Sequence, residues 1–317
     1  MIIHDIICGI KTLVLSNEKI SVTILVDKGG DISQITYLPE KVDFLHVEKK
    51  NFSCYENRDL HICRLEKYSQ DSTGGWQDVV PGYGRYGNTV LKDYPVGIAA
   101  TVPWKVVEET KEKPVSVLLE THLPLFPLLM KKRIRLEDET VFIEESIHNE
   151  GKENAEFTWT QHSVFGGNFL DENVEILYPG EEIFLSSLYA EEGRNKEAFY
   201  ENIHAVTMPD GSVCDLARMR KRENGGQLIF TMKAKEGCFE LFHRNKRLGM
   251  RVNWNLFFFP YIRCWYQNSD SGYSYALEPC NYSYSSFEDT DREKMYLCLS
   301  PGEEKSTVLQ VKILHGK

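Results

Sequence analysis

Two-residue alternation dominates this chain. "ISVTILV" (20–26), "VSVLLETH" (115–122), "KKRIRLE" (131–137) and "TVFIEESIHN" (140–149) set apolar or β-branched residues against polar ones, the pattern of strands with one face buried. The last two meet at Asp138-Glu139, which predicts a hairpin over 131–149. Further strands are predicted over 227–234, 238–244, 249–259, 294–300 and 306–314. Turn signals such as "DKGGD", "NEGKEN", "MPDGS", "ENGGQ" and "SPGEE" separate them. Helical spacing is confined to 188–205, where Gly193 interrupts it. The pattern predicts an all-β chain folded as a large antiparallel β-sandwich. No linker, composition shift or repeat divides it, so residues 1–317 are expected to form a single domain.

Composition sharpens this picture by exclusion. With 42% hydrophobic residues in 317, the chain can bury a substantial core, which rules out a disordered one. A net charge of −10 argues against a nucleic-acid or anionic-membrane surface. His4, Asp5 and Lys11 break the N-terminal stretch before a signal-like apolar segment can form, and "HLPLFPLLM" is too short to span a bilayer. Eight cysteines contain no C-x-x-C pair, so reduced thiols and a cytoplasmic location are expected. No HExxH, EF-hand loop or close histidine pair is present, and no metal or other cofactor is expected. A small-molecule partner is expected, with the chain as a monomer or homodimer.

Candidate chemistry collects in four stretches. "TGGWQDVVPGYGRYG" (73–87) offers Trp76, Gln77 and Arg85 among five glycines. Rings that stack on pyranose faces, with amides and a cation for the hydroxyls, suit a sugar; equally, the tryptophan could plug the core. "FTWTQHSVFGG" (157–167) places Phe157, Trp159 and Gln161 on one face of a strand, and Thr158, Thr160 and His162 on the other. A titratable imidazole at a strand end can serve as an acid or base, or can be structural. "FFFPYIRCWYQ" (257–267) supplies Arg263 and Trp265. "YSYALEPCNY" (273–282) sets the carboxylate of Glu278 where Pro279 ends the ladder.

The order of these segments, above all the stretch from Asn149 to His162 and the tripeptide Leu277-Glu278-Pro279, resembles the galactose mutarotase-like (aldose 1-epimerase-like) superfamily. "GGWQDVVP" and "TVPW" are closer to an uncharacterised branch of it. The resemblance implies a supersandwich with a sugar site on one concave sheet and a cofactor-free interconversion of the anomers of an aldose. It implies His162 as the general acid on the ring oxygen and Glu278 as the base on the anomeric hydroxyl. Trp76, Gln77, Arg85, Trp159, Arg263 and Trp265 are expected to line the same cleft. The alternative is a non-catalytic carbohydrate-binding protein using that cleft. Val96 stands in the stretch where galactose mutarotases carry an additional histidine.

Overall fold

The structure is a computed structural model. It describes residues 1–48, 51–52, 72–82, 84–90, 97–124, 126–185, 198–207, 211–219, 226–269, 272–283 and 297–316. Every strand pairing in the two large sheets is antiparallel. Along the middle of the larger, twelve-stranded sheet run Asp31–Tyr37, Trp76–Val79, Thr160–Phe165, Gly272–Cys280, Tyr261–Ser269, Gly226–Lys233 and Ile183–Leu185, in that spatial order. The second sheet has eight strands, with Glu304–His315, Thr140–Asn149 and Leu128–Glu137 at its centre. The fold is an antiparallel β-sandwich.

Alternation becomes burial directly. Along Leu128–Glu137 every second side chain is buried, and Thr140–Asn149 does the same in the complementary phase. They form the predicted hairpin, with Asp138 at positive φ in the turn. Phe165 of the larger sheet meets Phe239 of the second edge-on at 5.7 Å, inside one hydrophobic core drawn from both sheets. Two expectations need correction. The strand predicted over 249–259 stops at Asn253, because Asn255 turns the chain: its carbonyl accepts from the Phe258 amide and its side chain from the Phe257 amide. Residues 198–200 of the helical candidate are a strand, and residues 188–197 lie outside the described residues.

The inner layer also holds charge. Lys132 Nζ lies 2.5 Å from Asp78 Oδ2 and 3.8 Å from Glu145 Oε1, and all three side chains are buried. The Gln161 amide donates to Asp78 Oδ1 (2.8 Å) and Glu145 Oε2 (2.7 Å), and the indole N–H groups of Trp159 and Trp76 donate to Asp78 and Gln161. Burial alone would raise Asp78, but Lys132 beside it and a hydrogen bond from Glu145 hold its carboxyl below the usual range. Burial and the Asp78 charge push Glu145 well up, so Glu145 keeps the proton it shares with Asp78. Burial alone would lower Lys132, but the Asp78 carboxylate beside it keeps it charged.

Candidate active site

Strand register builds the site. Thr160 faces Cys280 and Val164 faces Ala276, which sets His162 opposite Glu278. Gln77 is the partner of His162 on one side, and Arg263 is the partner of Glu278 on the other. Thr231 continues the series opposite Arg263. One row across five strands therefore reads Gln77, His162, Glu278, Arg263, Thr231, on the face turned away from the second sheet. Trp265, two residues beyond Arg263 and half-buried, shares that face. His162 Nε2 lies 3.5 Å from Glu278 Oε1, with the imidazole 22% exposed and the carboxylate 4%. An imidazole that water and ligand can reach thus abuts an acid held almost wholly inside.

The thiols nearest this pair are chemically quiet. Burial, then the charge of Glu278, push the Cys280 thiol up to about 12, and the same two causes raise Cys264. Neither supplies a thiolate near neutral pH. The six described cysteines are free thiols, while Cys54 and Cys63 lie outside the described residues. Among the described residues no group of three His, Cys, Asp or Glu side chains is arranged to hold a metal ion, and no helix is long and apolar enough to cross a membrane.

Four of the expected binding residues are not presented to a ligand on this face. Trp76 and Trp159 point into the sandwich, 2% and 0% exposed, with their N–H groups bound to Gln161 and Asp78; Trp159 also packs edge-on against Phe258 and Phe259. Gln77 is beside His162 but fully buried, and its amide donates to Asp31 Oδ2 at 2.9 Å. Arg85 sits on a separate four-stranded sheet, paired with Glu156 at 2.6 Å. A cation in a glycine-rich loop finds an acid within its own sheet as readily as a ligand. Arg263 and Trp265 remain with His162 and Glu278.

His46, which no sequence motif singles out, also lies on this face. Leu45 bridges Phe165, and the His46 amide donates to the Val164 carbonyl at 2.9 Å, so His46 falls beside Val164 on the site face, one row along from His162. Glycines make room for it: a Cβ on Gly166 would meet the His46 Cβ at 2.7 Å, and one on Gly74, at φ +72, would meet its carbonyl oxygen at 2.3 Å. The doubled glycines of "TGGW" and "FGG" were the available signal. Val96 lies outside the described residues. A cavity of about 630 Å³ opens elsewhere, on the second sheet, lined by Glu175, His204, Asp215, Glu240 and Arg244 among others. No residue of the His162–Glu278 row lines it, and its charges are already paired, His204 with Asp215 and Arg244 with Glu175.

A family profile described as "Domain of unknown function (DUF4432)" matches residues 115–313. The chain belongs to this family. No curated protein matches the sequence of this DUF4432 member. Its fold is shared with a candidate aldose 1-epimerase from Escherichia coli K12, with TM-score 0.69, 14% identity, and 97% of this chain and 100% of that one covered. It is shared too with a galactose mutarotase-like protein from Clostridium acetobutylicum, with TM-score 0.66, 14% identity, and coverage of 100% and 99%. A galactose mutarotase related enzyme from Lactobacillus acidophilus is similar over 96% of this chain and 97% of its own, at TM-score 0.63 and 13% identity. These likenesses establish a galactose mutarotase-like fold; at such identity the chemistry must be argued from the site.

Proposed function

We propose that this protein is an aldose 1-epimerase-like isomerase that interconverts the anomers of a sugar by opening and reclosing its ring. One observation carries the reading: a partly exposed imidazole and a buried carboxylate stand 3.5 Å apart on neighbouring strands, with Arg263 and Trp265 on the same face. The two oxygens of a cyclic hemiacetal sit on one carbon, so an acid and a base this close can serve both at once. The His162 imidazolium protonates the ring oxygen while the Glu278 carboxylate takes the proton of the anomeric hydroxyl. The bond from the anomeric carbon to the ring oxygen breaks, leaving an open-chain aldehyde, neutral His162 and protonated Glu278. After rotation of the aldehyde the ring hydroxyl attacks either face, His162 recovers its proton, and Glu278 returns one to the carbonyl oxygen. The cycle closes without net gain or loss of protons.

The test is the approach of a pure α-anomer to equilibrium, followed by polarimetry or NMR over a panel of aldoses. Glu278→Gln keeps shape and hydrogen bonding but removes the base, so the enzyme-dependent rate should fall by about 10²–10⁴-fold. His162→Asn should act likewise, and the double variant should lose little more, because the pair works as one unit. Sugar binding without any acceleration would instead identify a carbohydrate-binding protein. An active parent whose Glu278→Gln form exchanges anomers equally fast would remove Glu278 as the base.

A further inference from the structure

The row that carries His162 and Glu278 does not end at Arg263. Thr231 lies opposite Arg263, Phe184 opposite Thr231 and Phe199 opposite Phe184, so the same face continues to the far edge of the sheet. Two independent features mark this extension. The Thr231 hydroxyl is 97% buried, since the residue is 3% exposed, yet its Oγ1 has no hydrogen-bond partner. A buried hydroxyl left unmatched is costly unless something completes it. Beyond it two phenylalanines lie side by side: Phe184 is half-buried, and Phe199 is 60% exposed at the edge, an unusual place for a bare aromatic ring in a strand this short.

We infer that this extension is a second sugar subsite and that the substrate is a reducing disaccharide or longer oligosaccharide, turned over at its reducing end. The inference rests on the proposed anomer exchange at Glu278. At the spacing of neighbouring strands, Phe184 lies roughly 14 Å and Phe199 roughly 19 Å from the Glu278 strand. A single pyranose with its anomeric carbon at Glu278 ends near Arg263 and leaves the Thr231 hydroxyl unmatched and both rings without a ligand contact. A second pyranose ring reaches Thr231 with a hydroxyl and lays its apolar face on Phe184 with its outer edge against the neighbouring Phe199, which a further unit would cover fully. Arg263 then sits at the junction, where its fixed donors suit the linking oxygen and flanking hydroxyls. An aromatic pair flanked by one neutral hydroxyl suits a neutral chain better than a sugar phosphate, whose charge would fall among phenyl rings.

The experiment compares kcat/KM for anomer exchange of reducing disaccharides with that of their component monosaccharides, in the parent, Phe199→Ala and Thr231→Val. Phe199 is exposed and valine matches threonine in shape, so both variants should fold. The parent should favour a disaccharide, and each variant should lower the disaccharide-to-monosaccharide ratio roughly threefold to tenfold. A parent that favours the monosaccharide, or variants that leave the ratio unchanged, overturns the subsite while anomer exchange stands. Calorimetry separates the two failures. If no sugar is turned over, the proposed activity falls; tighter disaccharide than monosaccharide binding, weakened in Phe199→Ala, still supports the subsite, and equal binding of both sugars removes it.

Discussion

Glu145→Gln probes the charged layer inside the sandwich, and its effect should depend on pH with a determined sign. Glu145 is buried against Asp78 and Lys132, and burial followed by the Asp78 charge raises its carboxyl well above the ordinary value. An unfolded glutamate loses its proton near pH ~4.3, whereas folded Glu145 holds its proton to higher pH. Between those two values the native state binds one proton more than the unfolded state, so the parent loses stability as pH rises, by up to ~1.4 kcal/mol per pH unit. Glutamine copies the protonated acid: it accepts from Gln161 and donates toward Asp78, with no proton to lose. Asp31 is also raised by burial but is common to both proteins, so it cancels.

Urea denaturation at pH 5, 6, 7 and 8 reads this out. The variant should be close to the parent at pH 5 and gain on it as pH rises, until folded Glu145 has lost its proton. A difference that is constant with pH, or a parent that gains on the variant, would refute the protonated assignment of Glu145. Lys132→Met provides the opposite perturbation. It leaves Asp78 charged and uncompensated, at a cost of about 3–5 kcal/mol. At about 2 °C per kcal/mol for a chain of this size, Tm should fall by roughly 6–10 °C. Adding Asp78→Asn to Lys132→Met should recover much of that loss, because the stranded charge goes with it.

The remaining predictions are more local. Trp159→Phe should destabilise by ~1–3 kcal/mol, since Asp78 loses a buried donor, and should change anomer exchange little, since Gln161 and Lys132 still hold Asp78, as measured by urea midpoint and polarimetry. Gly74→Ala should cost at least ~1–3 kcal/mol and weaken sugar binding, because its new methyl meets the His46 carbonyl from a φ of +72; an unchanged urea midpoint would contradict that geometry. In native protein at pH 8, a thiol reagent followed by peptide mapping should mark exposed Cys8 quickly and spare Cys264 and Cys280, whose thiols burial and Glu278 push up, Cys280 to about 12. Labelling of Cys280 at the rate of Cys8 would show that the Glu278 pocket is open.

The strands were legible because burial on one face leaves a period of two in the sequence. That same period distinguished Gln161, which turns inward to Asp78 and Glu145, from its neighbour His162, which turns outward. What the period could not convey was which distant residues share a row. His162 and Glu278 are 116 positions apart and meet only through the Thr160–Cys280 register. Thr231, Phe184 and His46 join them through further pairings that no local pattern encodes. The tryptophans misled for a different reason. A ring among glycines and amides suits a sugar platform, but this sandwich hides acceptors in its interior, and an indole N–H bound to buried Asp78 looks the same in sequence as one waiting for a hydroxyl.

The hidden charges and the outward row are parts of one construction. Asp78 and Gln161 project inward from the two strands whose next residues, Gln77 and His162, project outward. Each inward side chain is held by at least two polar partners, and the partners come from the second sheet as well as the first. A strand pinned by directional bonds on its inner side cannot roll about its own axis, as one packed only by aliphatic contacts can, without stranding a buried charge or amide. The rotation of the strand sets where the His162 imidazole points. A hydrophobic inner layer of equal volume would serve stability at least as well. What the polar layer adds is a fixed orientation for the two strands beneath the imidazole, and the proposed proton transfers to the sugar from His162 and from the sugar to Glu278, which stand 3.5 Å apart, are sensitive to that orientation.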